Sequence, residues 1–374
     1  MPELLACPDC AGPLKNEGAQ LRCGCAAWPV VADIPLLTPW ARNRRFTVEE
    51  ALARFLPPPE GLAGKLLRRL FRGTGALGTA IADREATFLD LAAALGRTAD
   101  LDYFRYRFSD LSYVSSAALL TPLARGPILE LGCGAGHLTE AIHRRIPRSV
   151  VVGLDFNFTL LYLAKRFVAP SALYVCADGS ATLPFRDGAF EAAVCADAFK
   201  YLADRARAAR ELLRITRGPL LMSHLADPFF REPGAPEPLE PATYLGFFAA
   251  RAPRLYREAD LLEAFFKTRT LDLSHPMAGR DDVLTLVAGV DAAVHPGADF
   301  FVRGDRLNPI YDVQEDGDRL HLKRRFVSDK FSDSYARFGD VLPELLTISR
   351  EQITARDPEL VRRFVLLELP PNYC

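Results

Sequence analysis

Two sets of residues have the types and spacing to do chemistry. The first is cysteine. "CPDCAGPLKNEGAQLRCGC" sets Cys7 and Cys10 two residues apart, then twelve residues, then Cys23 and Cys25 with one residue between them. Two short cysteine turns at this separation form a tetrahedral zinc site, and no histidine lies nearby to replace a thiolate. The second turn is one residue tighter than the usual C-x2-C. The second set is acidic. Glu130, Asp155 and Asp178 close the apolar runs of "ILEL", "VVGLD" and "VCADGS", and Glu130 stands just before Gly132, Gly134 and Gly136.

Glycines directly after a buried strand allow positive φ or close approach of a ligand. A dinucleotide loop needs G-x-G-x-x-G, but its third glycine would fall on His137, and the glycine stands at 136 instead. Three carboxylates along one sheet edge repel a pyrophosphate. They suit a cationic ligand carrying an adenosine, with Asp155 accepting from the ribose hydroxyls and Asp178 from the adenine amino group. S-adenosylmethionine has a sulfonium, an ammonium and an adenosine.

These residues need strand ends to hold them. From 126 the chain alternates buried strands ("ILEL", "SVVVGLD", "ALYVCAD", "FEAAVCAD", "GPLLMSH") with helical stretches ("HLTEAIHRRI", "FTLLYLAKRFV", "RARAARELLRI"). This rhythm predicts an α/β fold, a doubly wound, mostly parallel sheet with helices on both faces. "TRTLDLSH" and "VLTLVAGV" bring the strands to seven, the last two expected as one antiparallel edge pair. The expected units are a zinc ribbon at 1–39, a basic and helical linker or cap at 40–125, the sheet domain at 126–290 with a lid-like insertion at 227–257, and a C-terminal α+β extension at 291–374. In the extension, "PIYDVQEDGDRLHLKRRF" predicts a hairpin turning at Asp316-Gly317.

The ordered combination "ILELGCGAGHLT", "GLDFN" and "CADGSATLPFRDGAFEAAVCADAFKYL" resembles the class I S-adenosylmethionine-dependent methyltransferases, in their type 11-like form, over roughly 126–290. Two departures concern the subfamily: Glu191 stands where many relatives carry Asp, and "ITRGPLLMSH" lacks the Lys-Pro-Gly-Gly turn. The resemblance implies that Glu130, Gly132, Cys133 and Gly134 sit against the methionine part of the donor. It implies Asp155 on the ribose, Phe156 against the adenine, Asp178 and Gly179 at the adenine amino group, and Asp197 and Phe199 on the methionine side. Tyr103, Tyr106 and Arg107 in "DYFRYRFSD" form an aromatic-basic segment of the kind that closes over the cofactor in this family; an ordinary helix surface is the alternative. The stretch "CPDC…LRCGCAAWPVVADIPLL" resembles a small zinc-ribbon family whose founding member activates tRNA methyltransferases. A structural zinc on Cys7, Cys10, Cys23 and Cys25 follows from that resemblance.

Methyl transfer to a hydroxyl or a protonated amine requires a general base. The ends of the fourth and fifth strands nominate Lys200, Tyr201 and His224, with His224 as the base because a strand-end imidazole titrates near neutrality; a histidine satisfied by local backbone is the alternative. His275, after the sixth expected strand, is a lesser candidate. Phe229, Phe230, Tyr244, Phe247 and Phe248 could form an aromatic lid, or packing for the extra lobe.

The expected acceptor is a small molecule or a peptide-derived natural product. The ribbon and the basic stretches "RNRR" and "KLLRRLFR" keep ribosomal or transfer RNA as the alternative, and a donor-binding domain that supports a partner protein is the third reading. Against RNA stand the net charge of −1 and "ADAF" in place of an Asn/Asp-Pro-Pro-aromatic motif. "EGLAGKLLRRLFRG" predicts an amphipathic helix with Leu62, Leu66, Leu67, Leu70 and Phe71 opposite Lys65, Arg68, Arg69 and Arg72. Clustered cysteines without a secretory start imply a reducing cytoplasm, and no apolar run is long enough to predict a membrane span.

Overall fold

The computed structural model describes residues 2–56, 76–225, 237–276, 283–297, 304–325 and 341–374. The expected basic helix at 60–73 and the aromatic residues Phe229 and Phe230 lie outside the described residues.

The N-terminal unit is an antiparallel meander of β1 (Lys15–Asn16), β2 (Gln20–Arg22), β3 (Ala27–Val31) and β4 (Ile34–Pro35). It has little core of its own. Instead Leu5, Leu14, Leu21 and the fully buried Trp28 share one apolar cluster with Leu154, Val175, Phe185 and Phe190 of the following domain. Backbone bonds complete the seam: Ala6 N donates to Pro184 O at 3.0 Å, and Leu37 N donates to Cys176 O at 2.8 Å.

β5 (Ile128–Leu131), β6 (Val151–Asp155), β7 (Leu173–Cys176), β8 (Ala192–Ala196) and β9 (Leu220–Ser223) are almost wholly buried. Strands covered on both faces read as continuous apolar runs, which is how the sequence shows them. All four pairings among them are parallel. The seven-stranded sheet is completed by β10 (Arg254–Arg257) and by β12 (Leu284–Ala288), which lies antiparallel between β9 and β10, giving the order β10-β12-β9-β8-β5-β6-β7.

The sixth strand corrects the sequence reading. It is "RLYR", at the end of the expected insertion, and not "TRTLDLSH". The latter contributes β11 (Thr270–Asp272), which pairs with β13 (Val294–Pro296) in a separate two-stranded ribbon. His275 therefore follows β11 of that ribbon and not a strand of the main sheet. In the described part of the insertion, Tyr244 and Phe248 are fully buried beside Phe199, with ring centroids 6.3 and 6.1 Å from it.

Short helices Phe88–Ala94, Leu101–Tyr106 and Leu111–Ala118 precede the sheet, and the last packs on β8 and β9. The last is fastened to β9 where Ser116 Oγ meets Ser223 Oγ at 2.6 Å. The C-terminal extension contains β14 (Arg306–Leu307), β15 (Tyr311–Asp316), β16 (Arg319–Arg324), β17 (Leu345–Ser349) and β18 (Leu366–Leu367). β15 and β16 form a hairpin, with Asp316 paired to Arg319 so that the turn falls on Gly317-Asp318, one residue later than expected; β17 adds a third strand, and β14 pairs with β18. Val361, Phe364, Leu366 and Tyr373 join the core of the cap helices. Among the described residues, no helix is long and apolar enough to cross a membrane.

Candidate active site

Ligands in open parallel sheets bind beyond the carboxyl ends of the strands. Here β5 ends in a loop where Gly132 has φ +74° and Gly134 φ +50°, and a Cβ at Gly132 would lie 2.3 Å from that of Ala198. The loop turns so that Gly134 N donates to Asp155 Oδ2 at 2.9 Å, while Asn157 N donates to Asp155 Oδ1 at 2.8 Å. Burial raises the Asp155 carboxyl above its ordinary pKa, against the pull of these backbone donors. Glu130 is 2 % exposed and accepts the Thr139 hydroxyl. Burial pushes its carboxyl up to about 8, with Thr139 and Arg107 opposing.

Glu130, Gly132, Cys133, Gly134 and Asp197 line a cavity of about 150 Å³ together with Tyr103 and Arg107. Arg107 is held there by donating to Ser112 Oγ at 2.7 Å and by lying 5.3 Å from the Tyr103 ring centroid. Tyr103 and Arg107 are one helical turn apart, so the predicted aromatic-basic segment does meet the glycine loop through them.

Other expected donor contacts lie elsewhere. Tyr106 is buried in the core of the cap helices, and Phe199 is buried beside Tyr244 and Phe248. Neither lines the cavity, because each sits on the core side of its short helix. Gly179 packs against Leu131 and Leu202. Phe156, 63 % exposed, and Asp178, whose Oδ1 accepts from Ser180 N at 2.8 Å, stand at the neighbouring strand ends outside the cavity wall.

β8 and β9 each run into a non-glycine residue in the left-handed region, Asp197 at φ +54° and His224 at φ +56°. Such backbone is held only where its surroundings over-determine it, and it gathers at functional sites. Asp197 N donates to Ser223 O at 3.1 Å, which locks the two strand ends together. Lys200 Nζ is 2.7 Å from Asp197 Oδ1. Burial disfavours the Asp197 charge, but His224, Lys200 and Arg107 outweigh it and hold the pKa below its ordinary value. Tyr201 is 42 % exposed and lies under the Lys200 ammonium, 5.2 Å from ring centroid to Nζ.

Glu258 was not legible in the sequence. It is 5 % exposed, opens the helix Glu258–Thr268 after β10, and grips His224 twice. Its Oε2 accepts from His224 N at 3.2 Å, and its Oε1 is 3.1 Å from His224 Nδ1. By sequence alone it is an ordinary first-turn acid; only the fold carries it to a residue 34 positions away.

The four cysteines converge. Their sulfurs all lie within 4.8 Å of one another. Cys7 to Cys25 is 3.7 Å, Cys10 to Cys23 is 3.9 Å and Cys23 to Cys25 is 3.3 Å. A tetrahedron with zinc–sulfur bonds of about 2.3 Å has edges near ~3.8 Å, so the thiols fit such an ion, and Cys25 joins them despite the tighter turn.

Residues 129–218 match the methyltransferase domain family. The demethylmenaquinone methyltransferase of Thermus thermophilus is 40 % identical over 91 residues, which cover 24 % of this chain and 41 % of that protein. That of Thermotoga maritima is 31 % identical over 104 residues, covering 27 % and 44 % respectively. The chain thus spans less than half the length of these curated relatives. Among solved structures, a SAM-bound amino pentose methyltransferase from Micromonospora echinaspora aligns at 16 % identity and a TM-score of 0.35, covering 50 % of this chain and 95 % of that one. The expectation of a methyltransferase domain is borne out over the matched segment, which leaves residues 1–39 outside it.

Proposed function

We propose that this chain transfers a methyl group from S-adenosylmethionine to a small-molecule acceptor that must give up a proton. The observation that carries the reading is the convergence of Glu130, the glycine loop and Asp197 on one cavity, together with Tyr103 and Arg107. A cationic amino-acid ligand finds acids and a guanidinium for its carboxylate in the same cavity. Asp155 holds the ribose and Asp178 the adenine amino group, with Phe156 against the adenine.

The donor supplies an electrophilic methyl on a sulfonium. The chain's own residues align the acceptor and take its proton. His224 is the base. Its backbone and Nδ1 are fixed by Glu258, which directs Nε2 as the proton acceptor and stabilises the imidazolium that forms. Lys200, paired with Asp197, and Tyr201 border the acceptor side. As the acceptor's nucleophilic atom bonds to the methyl carbon, the carbon–sulfur bond breaks, its electron pair stays on sulfur, and the acceptor proton passes to His224. The relatives named for demethylmenaquinone support an acceptor of small-molecule size.

Cys7, Cys10, Cys23 and Cys25 hold a structural zinc in this reading. Attachment of the ribbon to the β7 edge by backbone bonds and a shared core supports a bracing role. Incubation with methyl-labelled donor and separate small-molecule, peptide and RNA fractions tests the acceptor class. Label is expected in the small-molecule fraction; label in RNA alone would overturn that choice.

A further inference from the structure

The phenol oxygen of Tyr373 lies 2.6 Å from Nε2 of His137, a residue 236 positions earlier. The same hydroxyl donates to the carbonyl of Phe104 at 2.7 Å. A phenol has one proton, and a carbonyl can only accept. Toward His137 the oxygen is therefore an acceptor, so Nε2 carries the hydrogen and Nδ1 keeps its lone pair. Burial, with Arg107 adding to it, holds the imidazole pKa well below its ordinary value, so no second proton binds at neutral pH.

Tyr373 is itself immobilised. It is fully buried, its ring is stacked on Phe88 at 4.7 Å and 13°, and Phe88 N donates to Asn372 O at 2.8 Å. Both partners of its hydroxyl belong to the donor cavity. His137 opens the helix His137–Arg145 directly after the glycine loop, and Phe104 lies on the helix that bears Tyr103; both line the cavity.

We propose that Tyr373 is a positioning residue of the donor site: it fixes His137 as the Nε2–H tautomer, so that Nδ1 offers an acceptor to the ammonium of an amino-acid ligand, and it ties the Tyr103 helix to the glycine loop. This rests on the reading of the cavity as the donor site. It gives the C-terminal extension a part in donor recognition that the matched methyltransferase segment does not supply.

Two ligands separate this from a general packing role. S-adenosylhomocysteine carries the amino-acid part and 5′-methylthioadenosine lacks it. Tyr373→Phe, which keeps the stacked ring, is expected to weaken the first roughly tenfold, the scale of one buried hydrogen bond, and to leave the second unchanged in calorimetry. His137→Phe should produce the same selective loss, with no further loss in the double variant. Nitrogen chemical shifts of His137 should report Nε2–H in the wild type and a tautomer mixture in Tyr373→Phe. Equal losses for both ligands, no loss for either, or an Nδ1–H tautomer in the wild type would overturn the proposal. If the wild type binds neither ligand, the donor-site reading fails, and the tautomer measurement still decides what Tyr373 does to His137.

Discussion

Gly134 N donates to Asp155 Oδ2 across 2.9 Å, so the loop after β5 and the acid ending β6 form one unit. The positive φ at Gly134 aims that N–H. The acid is then held in place before any ligand arrives, with further lone pairs left for hydroxyl donors. Preorganisation of this kind lowers the ordering cost of binding.

If the cavity takes the donor as proposed, Glu130 is expected to make its binding proton-linked. Burial pushes its carboxyl up to about 8, so at pH 7 it is mostly protonated without ligand. A bound cation favours the carboxylate and expels the proton. Calorimetry at pH 7 in buffers of different ionisation enthalpy should show net proton release, and Glu130→Gln should abolish it. Stability follows the same sign. The folded chain holds this proton between the unfolded carboxylate pKa and about 8, where the unfolded chain has lost it, so stability falls as pH rises through that window. The Gln variant should flatten this slope in thermal unfolding.

His224 and Glu258 should separate chemistry from donor binding. His224→Gln is expected to lower kcat by roughly 10²–10⁴, the usual reach of a general base, with donor affinity unchanged. Glu258→Gln should lower kcat less and shift the acid limb of the pH–rate profile. An undiminished kcat in His224→Gln would remove it as the base.

One zinc per chain is expected at the four cysteines. Cys7→Ser should lose the metal and lower the unfolding temperature, because the ribbon's few core residues need the ion to hold their turns. Metal analysis alongside circular dichroism checks this; a metal-free wild type with an intact N-terminal unit would refute it.

The buried strands β5 to β9 could be read from sequence because strands covered on both faces leave uninterrupted apolar runs. β10 could not. "RLYR" is a four-residue edge strand with an arginine at each end, both half-buried, and only Leu255 and Tyr256 enter the core. "TRTLDLSH" alternates more clearly, but spends that alternation on the small ribbon with β13. The site shows the same divide. Glu130, the glycines and Asp155 are local to a strand end and carry their meaning in order along the chain. Glu258 and Tyr373 acquire theirs only when the fold brings them to His224 and His137. Tyr106 and Phe199 face inward because a short helix turns only every third or fourth residue toward the core, and these two fall on that face.

Titration of the wild-type protein and Asp155→Ala with S-adenosylhomocysteine, with NAD as competitor, tests the donor site most directly. The wild type should bind the nucleoside at one site, NAD should not displace it, and Asp155→Ala should weaken binding by roughly ten- to a hundredfold, as expected for losing hydrogen bonds to a carboxylate. Equal affinity in the two proteins, or tighter binding of NAD, would contradict the assignment.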